Sequence, residues 1–67
     1  MQITPETLVI GVDIGSEFHY ARAFDFRGFE FSKGALKFAN ARAGFESFDA
    51  WVADLMKQHG KTKVFAG

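Results

Sequence analysis

Asp13 closes the run Leu8-Val9-Ile10-Gly11-Val12-Asp13 and is followed at once by Ile14-Gly15-Ser16. The run is β-prone and almost entirely apolar, so it reads as a strand buried on both faces. A carboxylate where such a strand emerges is costly unless it is paired, solvated or bound to a cation. Gly15 lets the backbone turn sharply beside it. Such an acid on a rigid strand, next to a small-residue turn, suits a metal or phosphate site, because hard divalent cations prefer carboxylate oxygens. Two such ions about 3.5–4 Å apart can stabilise both the attacking and the leaving oxygen of a phosphodiester displacement. The alternative is an Asp that simply caps the turn after it. Both readings stand on the residues alone.

A metal site needs more than one acid, and the other candidates are poorly placed. Glu17 falls near Asp13 and reads first as a solvated turn residue. Asp25 lies at the far end of the next strand, about 20 Å from the turn at about 3.3 Å per residue. Glu30 follows one turn further on, and Glu46, Asp49 and Asp54 fall on a helix, where charges usually form a solvated face. His19 reads as a surface or hydrogen-bonded strand histidine before it reads as a catalyst. Tyr20 and Trp51 could stack on bases, but core or interface packing is their ordinary role. No Walker-type loop, HExxH or GxSxG occurs.

The elements that must carry these residues are legible from periodicity. Leu8 to Asp13 forms the first strand. From Glu17 to Asp25, bulky Phe18, Tyr20, Arg22 and Phe24 alternate with small or polar His19, Ala21, Ala23 and Asp25. This second strand should accept a closely packed helix or loop over its alanines. The short link Ile14-Gly15-Ser16 forces an antiparallel hairpin. Asp25-Phe26-Arg27-Gly28 reads as a turn with Gly28 at positive φ. A third strand is expected from Phe29 to Phe38, with a bulge or break near Gly34, where the apolar parity changes.

Asn40 reads as the N-cap of a helix from Ala41 to His59, about 28 Å long. Phe45, Phe48, Val52, Leu55 and Met56 supply its apolar face. Lys57 and His59 suit its C-terminal dipole, and Gly60 suits its C′ position. Gly44 should cost about 1 kcal/mol against alanine within a helix, unless a neighbouring backbone approaches there. Lys63 to Gly67 begins a last strand, and a right-handed crossover sets it parallel to the first.

The expected order is therefore β-β-β-α-β, an α/β (α+β) arrangement that matches the opening portion of the ribonuclease H-like fold. In that fold the first strand is central and ends in a catalytic acid. The chain, residues 1–67, is then expected to be the N-terminal part of a longer catalytic domain, truncated in its fourth strand.

Bulk composition bounds the rest. The chain has 67 residues and no cysteine, so disulfides and thiolate zinc sites are excluded. A domain this small buries only about 60% of its unfolded surface. Eight basic and eight acidic side chains cancel, giving no electrostatic argument for nucleic acid. Nine Phe, one Trp and one Tyr are more aromatic material than so short a chain readily hides, which predicts self-association or a face turned toward absent protein. The N-terminus lacks a signal-peptide pattern, and no apolar run approaches the roughly 20 residues of a membrane span, so a cytoplasmic protein is expected.

The string Val9-Ile10-Gly11-Val12-Asp13-Ile14-Gly15-Ser16, with His19 in the next strand, resembles the start of the DEDD-type insertion-sequence transposases, relatives of the Piv and MooV DNA recombinases. The resemblance continues through Lys37-Phe38-Ala39-Asn40-Ala41-Arg42-Ala43-Gly44-Phe45 and the helix to Val64-Phe65-Ala66-Gly67, and so covers almost the whole chain. It implies a DNA transposase or recombinase with a resolvase-like, ribonuclease H-type catalytic domain. Asp13 matches the first acid of the tetrad, as a catalytic and metal ligand for Mg²⁺ or Mn²⁺. The family's second acid follows the fourth strand in a Glu-Pro-Thr-Gly motif, and its two further aspartates come much later. The resemblance implies DNA as partner, a homo-oligomeric assembly and, for some members, a guide RNA. It also implies that this segment alone is inactive. Two other readings remain: a fragment of an actin-like ATPase or sugar kinase, in which the Gly15 and Ser16 amides would cradle phosphate, and a small non-enzymatic dimerisation module.

Overall fold

The computed structural model describes residues 3–31 and 34–67. β1 (Thr7–Ile14) and β2 (Phe18–Phe24) form the expected hairpin. β3 (Leu36–Ala39) follows, then α1 (Arg42–His59) and β4 (Lys63–Ala66). The protein is a mixed α+β fold, with four strands in the order β3-β2-β1-β4 and one helix. β1–β2 and β2–β3 are antiparallel, whereas β4 returns parallel to β1. β1 is therefore an inner strand, as its apolar run requires.

Strand alternation gives the sheet two unlike faces. One carries Ile10, Val12 and Ile14 of β1, which pair with Ala23, Ala21 and His19 of β2. Leu8, Ile10, Ala21, Ala23 and Phe38 are buried here under Leu55 of α1. Phe48, Trp51, Val52 and Met56 of the helix pack against the same cluster. The alanines leave the depth that the helix fills, as the alternation in β2 predicts.

The opposite face carries Val9, Gly11 and Asp13, paired with Phe24, Arg22 and Tyr20. No described element covers it. Phe18, Tyr20 and Phe65 on this side are each about 40% exposed. The expectation that β1 is buried on both faces is thus corrected: Leu8 and Ile10 are buried, Val9, Gly11 and Val12 are only half-buried, and Asp13 is exposed.

Two further expectations change. The third strand does not run from Phe29 to Phe38. Glu30 makes a single bridge to Phe24, and regular pairing begins only at Leu36. Of the predicted break at Ser32-Lys33-Gly34, Ser32 and Lys33 lie outside the described residues, and Gly34 is not in a strand. Phe31 and Phe38, on either side of it, pack on the same core. Asn40 is not the N-cap either. Ala41 holds that position and, having no polar side chain, makes no cap bond, while Asn40 lies one residue before that cap with its Nδ2 donating to the Ser16 carbonyl.

The other end of the hairpin is a closed polar knot. The Asp25 carboxylate accepts from the Arg27 and Phe29 amides at 2.8 and 2.9 Å, and Gly28 takes φ 91°, as expected. Burial pushes the Asp25 carboxyl up, but the Phe29 and Arg27 amides and the Arg27 guanidinium outweigh it and hold the group below its ordinary value. The helix ends as predicted, with Gly60 in the left-handed region at φ 64°.

Gly44 explains itself by contact. It is buried in the first turns of α1, and a Cβ there would run into the Ala39 carbonyl and stand 2.7 Å from the Ala39 carbonyl carbon and nitrogen. Both obstacles are backbone and cannot swing away. Gly44→Ala gains about 1 kcal/mol of helix propensity but incurs an overpacking cost of about 1–3 kcal/mol or more. Urea unfolding should therefore show net destabilisation, reaching about 2 kcal/mol where the overpacking cost stands at the top of that range. A stabilised variant, the usual result for an exposed helical glycine, would remove the backbone contact from the account.

Candidate functional site

Asp13 sits at the C-terminal end of β1, on the uncovered face. It lines an open groove of about 480 Å³ with Gly11, Val12, Tyr20, Arg22, Phe24, Ala35 and Gly67. Tyr20 is its cross-strand partner, and Arg22 stands opposite Gly11. Gly11 has no side chain to fill the space between them. Arg22 also reaches Glu30 at 3.2 Å, an exposed pair of the kind that contributes little to stability.

β4 completes the groove. The Gly67 amide donates to the Ile10 carbonyl, and the Val12 amide donates to the Gly67 carbonyl, both at 3.0 Å. Parallel pairing thus continues past β4 and brings Gly67 alongside the strand that carries Asp13.

The turn after Asp13 is tied from two sides. The Gly15 amide donates to His19 Nδ1 at 3.3 Å. Asn40 Nδ2 donates to the Ser16 carbonyl at 3.2 Å, and the Asn40 amide donates to the Glu17 carbonyl at 2.8 Å. Gly15 is required for space rather than for its φ, since an added Cβ would meet the Phe18 carbonyl. The sequence singled out Gly15 for freedom to turn, and close approach is the reason it is needed.

The candidate residues separate cleanly. His19 is buried at 7% exposure on the helix-covered face, with its ring 5.2 Å from that of Phe38 and 5.7 Å from that of Phe45. Alternation sets it on the opposite side of the sheet from Asp13, so the two cannot act as a dyad. Glu17 is exposed in the turn. Asp25 is committed to its own turn at the distant end, and Glu30 to Arg22. Glu46, Asp49 and Asp54 are exposed on α1. Trp51 packs against the core cluster, its ring 6.1 Å from that of Phe48.

A hard divalent cation takes six or so oxygen ligands, several of them carboxylate. Among the described residues there is no group of three or more His, Cys, Asp or Glu placed to hold one. The groove offers one carboxylate and one phenol, with a guanidinium beside them. These residues therefore do not make a metal site by themselves. Arg22 and Gly11 line the groove without any motif that marks them in the sequence, and Asn40 ties the turn rather than capping the helix. The alternation in β2 does put Arg22 on the same face as Tyr20, which is the signal that could have found it. No helix among the described residues is long and apolar enough to cross a membrane.

Comparison with protein-family models, with curated proteins and with solved structures finds no match to this chain.

Asn40→Ala removes the side-chain bond to Ser16 and leaves the start of the helix untouched, since Ala41 is the N-cap and no side-chain cap bond exists there to lose. A net hydrogen-bond contribution of about 1 kcal/mol corresponds to a Tm about 4–8 °C lower in a domain of this size. Amide exchange should rise around Ser16 and Glu17 and stay unchanged in α1. Faster exchange confined to the first turn of the helix would instead restore Asn40 as a cap.

Proposed function

We propose that this chain forms the N-terminal portion of the ribonuclease H-like catalytic domain of a DNA transposase or recombinase of the DEDD type. In this reading Asp13 is the first acid of a carboxylate site for Mg²⁺ or Mn²⁺ that the intact protein completes with residues from outside this segment. DNA as substrate and assembly as a homo-oligomer follow from the same resemblance.

The observation that carries the reading is the parallel pairing of β4 with β1 up to Gly67. An acid carried just after β4 would emerge next to Asp13, where a shared cation needs it. Exposure of Asp13 supports the same role, since an acid that only capped its own turn would be engaged by that turn's amides. Here the Gly15 amide is taken by His19. That bond also weakens the sugar-kinase reading, in which the same amide must face a phosphate. The exposed aromatics of the open face favour burial against further protein, which suits either a longer catalytic domain or a dimerisation module.

The test is divalent-metal-dependent DNA strand cleavage by the intact protein. Changing even an outer-shell partner of a metal ligand typically costs about 10–100-fold, so Asp13→Asn is expected to lower cleavage by about 100-fold or more. Asp25→Asn, at the far end of the hairpin, should leave it within a few fold of the parent. Cleavage that survives Asp13→Asn would overturn the assignment. ATP hydrolysis that depends on Asp13, without any DNA cleavage, would transfer the acid to the kinase reading.

A further inference from the structure

The imidazole of His19 is held in a narrow set of contacts. Ile14 is its cross-strand neighbour on β1, Phe38 its neighbour on β3, and Phe45 approaches from α1. These residues, with Val12, Gly15 and Asn40, line a cleft of about 350 Å³ beside the turn that follows Asp13. The charged groups on the surrounding elements do not engage the ring. Asp13 and Lys37 stand on the other face of the sheet by alternation, Glu17 is exposed in the turn, and Arg42, Glu46 and Asp49 are exposed on α1. Among the described residues, none of these forms an ion pair or hydrogen bond with His19.

The polar contact that is made fixes the chemistry. A backbone N–H can only donate, so Nδ1 must present its lone pair to Gly15, and the ring proton sits on Nε2. Adding a second proton places an N–H on Nδ1 facing the N–H of Gly15. Donor then meets donor, and the bond is lost.

We infer that His19 is a positioning residue for the Asp13 turn and performs that role only as the neutral imidazole. The neutral ring ties Gly15 down and orients the chain immediately after Asp13. The imidazolium releases Gly15 and leaves the turn held from the Asn40 side alone. The consequence for activity rests on the assignment of Asp13 above, whereas the latch itself does not.

The two can be tested apart. In the ¹⁵N-labelled 67-residue chain, the Gly15 amide resonance should follow the His19 ring resonances step for step through the pH range in which an imidazole takes up a proton. Its protection against exchange, corrected for intrinsic rates, should fall about tenfold on the acid side. His19→Asn offers a side-chain carbonyl near the position of Nδ1 and cannot take a proton in this range, so its Gly15 amide should stay flat with pH. His19→Phe keeps an aromatic ring against Phe38 and Phe45 but has no acceptor, and should show low protection at every pH. If either variant fails to fold, the parent titration still decides. A Gly15 amide that ignores the His19 titration, or that titrates equally in His19→Asn, overturns the latch. In the intact protein, cleavage lost on the acid limb should be retained by His19→Asn. Should Asp13 prove dispensable while Gly15 still follows His19, the functional assignment fails and the latch stands.

Discussion

The structure depends on one close approach of backbone to backbone, Gly44 of α1 against Ala39 at the end of β3. A single β-carbon at Gly44 would lift the helix away from the sheet edge. With hydrogen there, α1 starts directly on the strand that precedes it and then runs back across the face of small residues. Ala21 and Ala23 are fully buried under it, and Phe48, Trp51, Val52, Leu55 and Met56 fill the layer between. The same approach fixes residues 39–41 in space, and with them the reach of Asn40 to Ser16. Packing on one side of the sheet thereby braces the turn that follows the acid.

The two faces of the sheet divide the labour. The covered face is a small apolar core with one polar ring, His19, set among Phe38 and Phe45. The uncovered face is where chemistry is accessible, with Asp13, Tyr20 and Arg22 around the gap left by Gly11. A groove with one carboxylate and one guanidinium is close to neutral, in keeping with the balanced charge of the chain. Parallel β4 brings the Gly67 backbone to its rim.

Much of this was legible in the sequence, for physical reasons that differ by element. Period-two alternation from Phe18 to Phe24 set both faces of β2, and 3.6-residue periodicity with Gly60 set the helix and its end. A glycine at position 44, inside the helix, is either a propensity cost or the mark of a close backbone, and the Ala39 backbone is that neighbour. β3 was read too long because Phe29 and Phe31 look like strand residues. Phe29 belongs instead to the Asp25 turn, its amide donating to that carboxylate, and regular pairing waits until Leu36. Asn40 was misread because the side chain that suits an N-cap is the same one that suits a bond to a turn carbonyl. The run Leu8 to Val12 looked buried on both sides because an apolar run reveals how much surface wants cover, not whether this segment supplies it.

Asp13, and no other acid in this chain, is the one we propose to be presented for a cation. Paramagnetic broadening by Mn²⁺, titrated into the ¹⁵N-labelled chain, tests it most directly. A lone carboxylate should bind weakly, so the effect will need a large excess of ion. The amides of Asp13, Ile14 and Tyr20 should broaden first, and Asp13→Asn should abolish the effect. Broadening centred on Asp25 and Glu30, or on Glu46, Asp49 and Asp54, with Asp13 untouched, would contradict it.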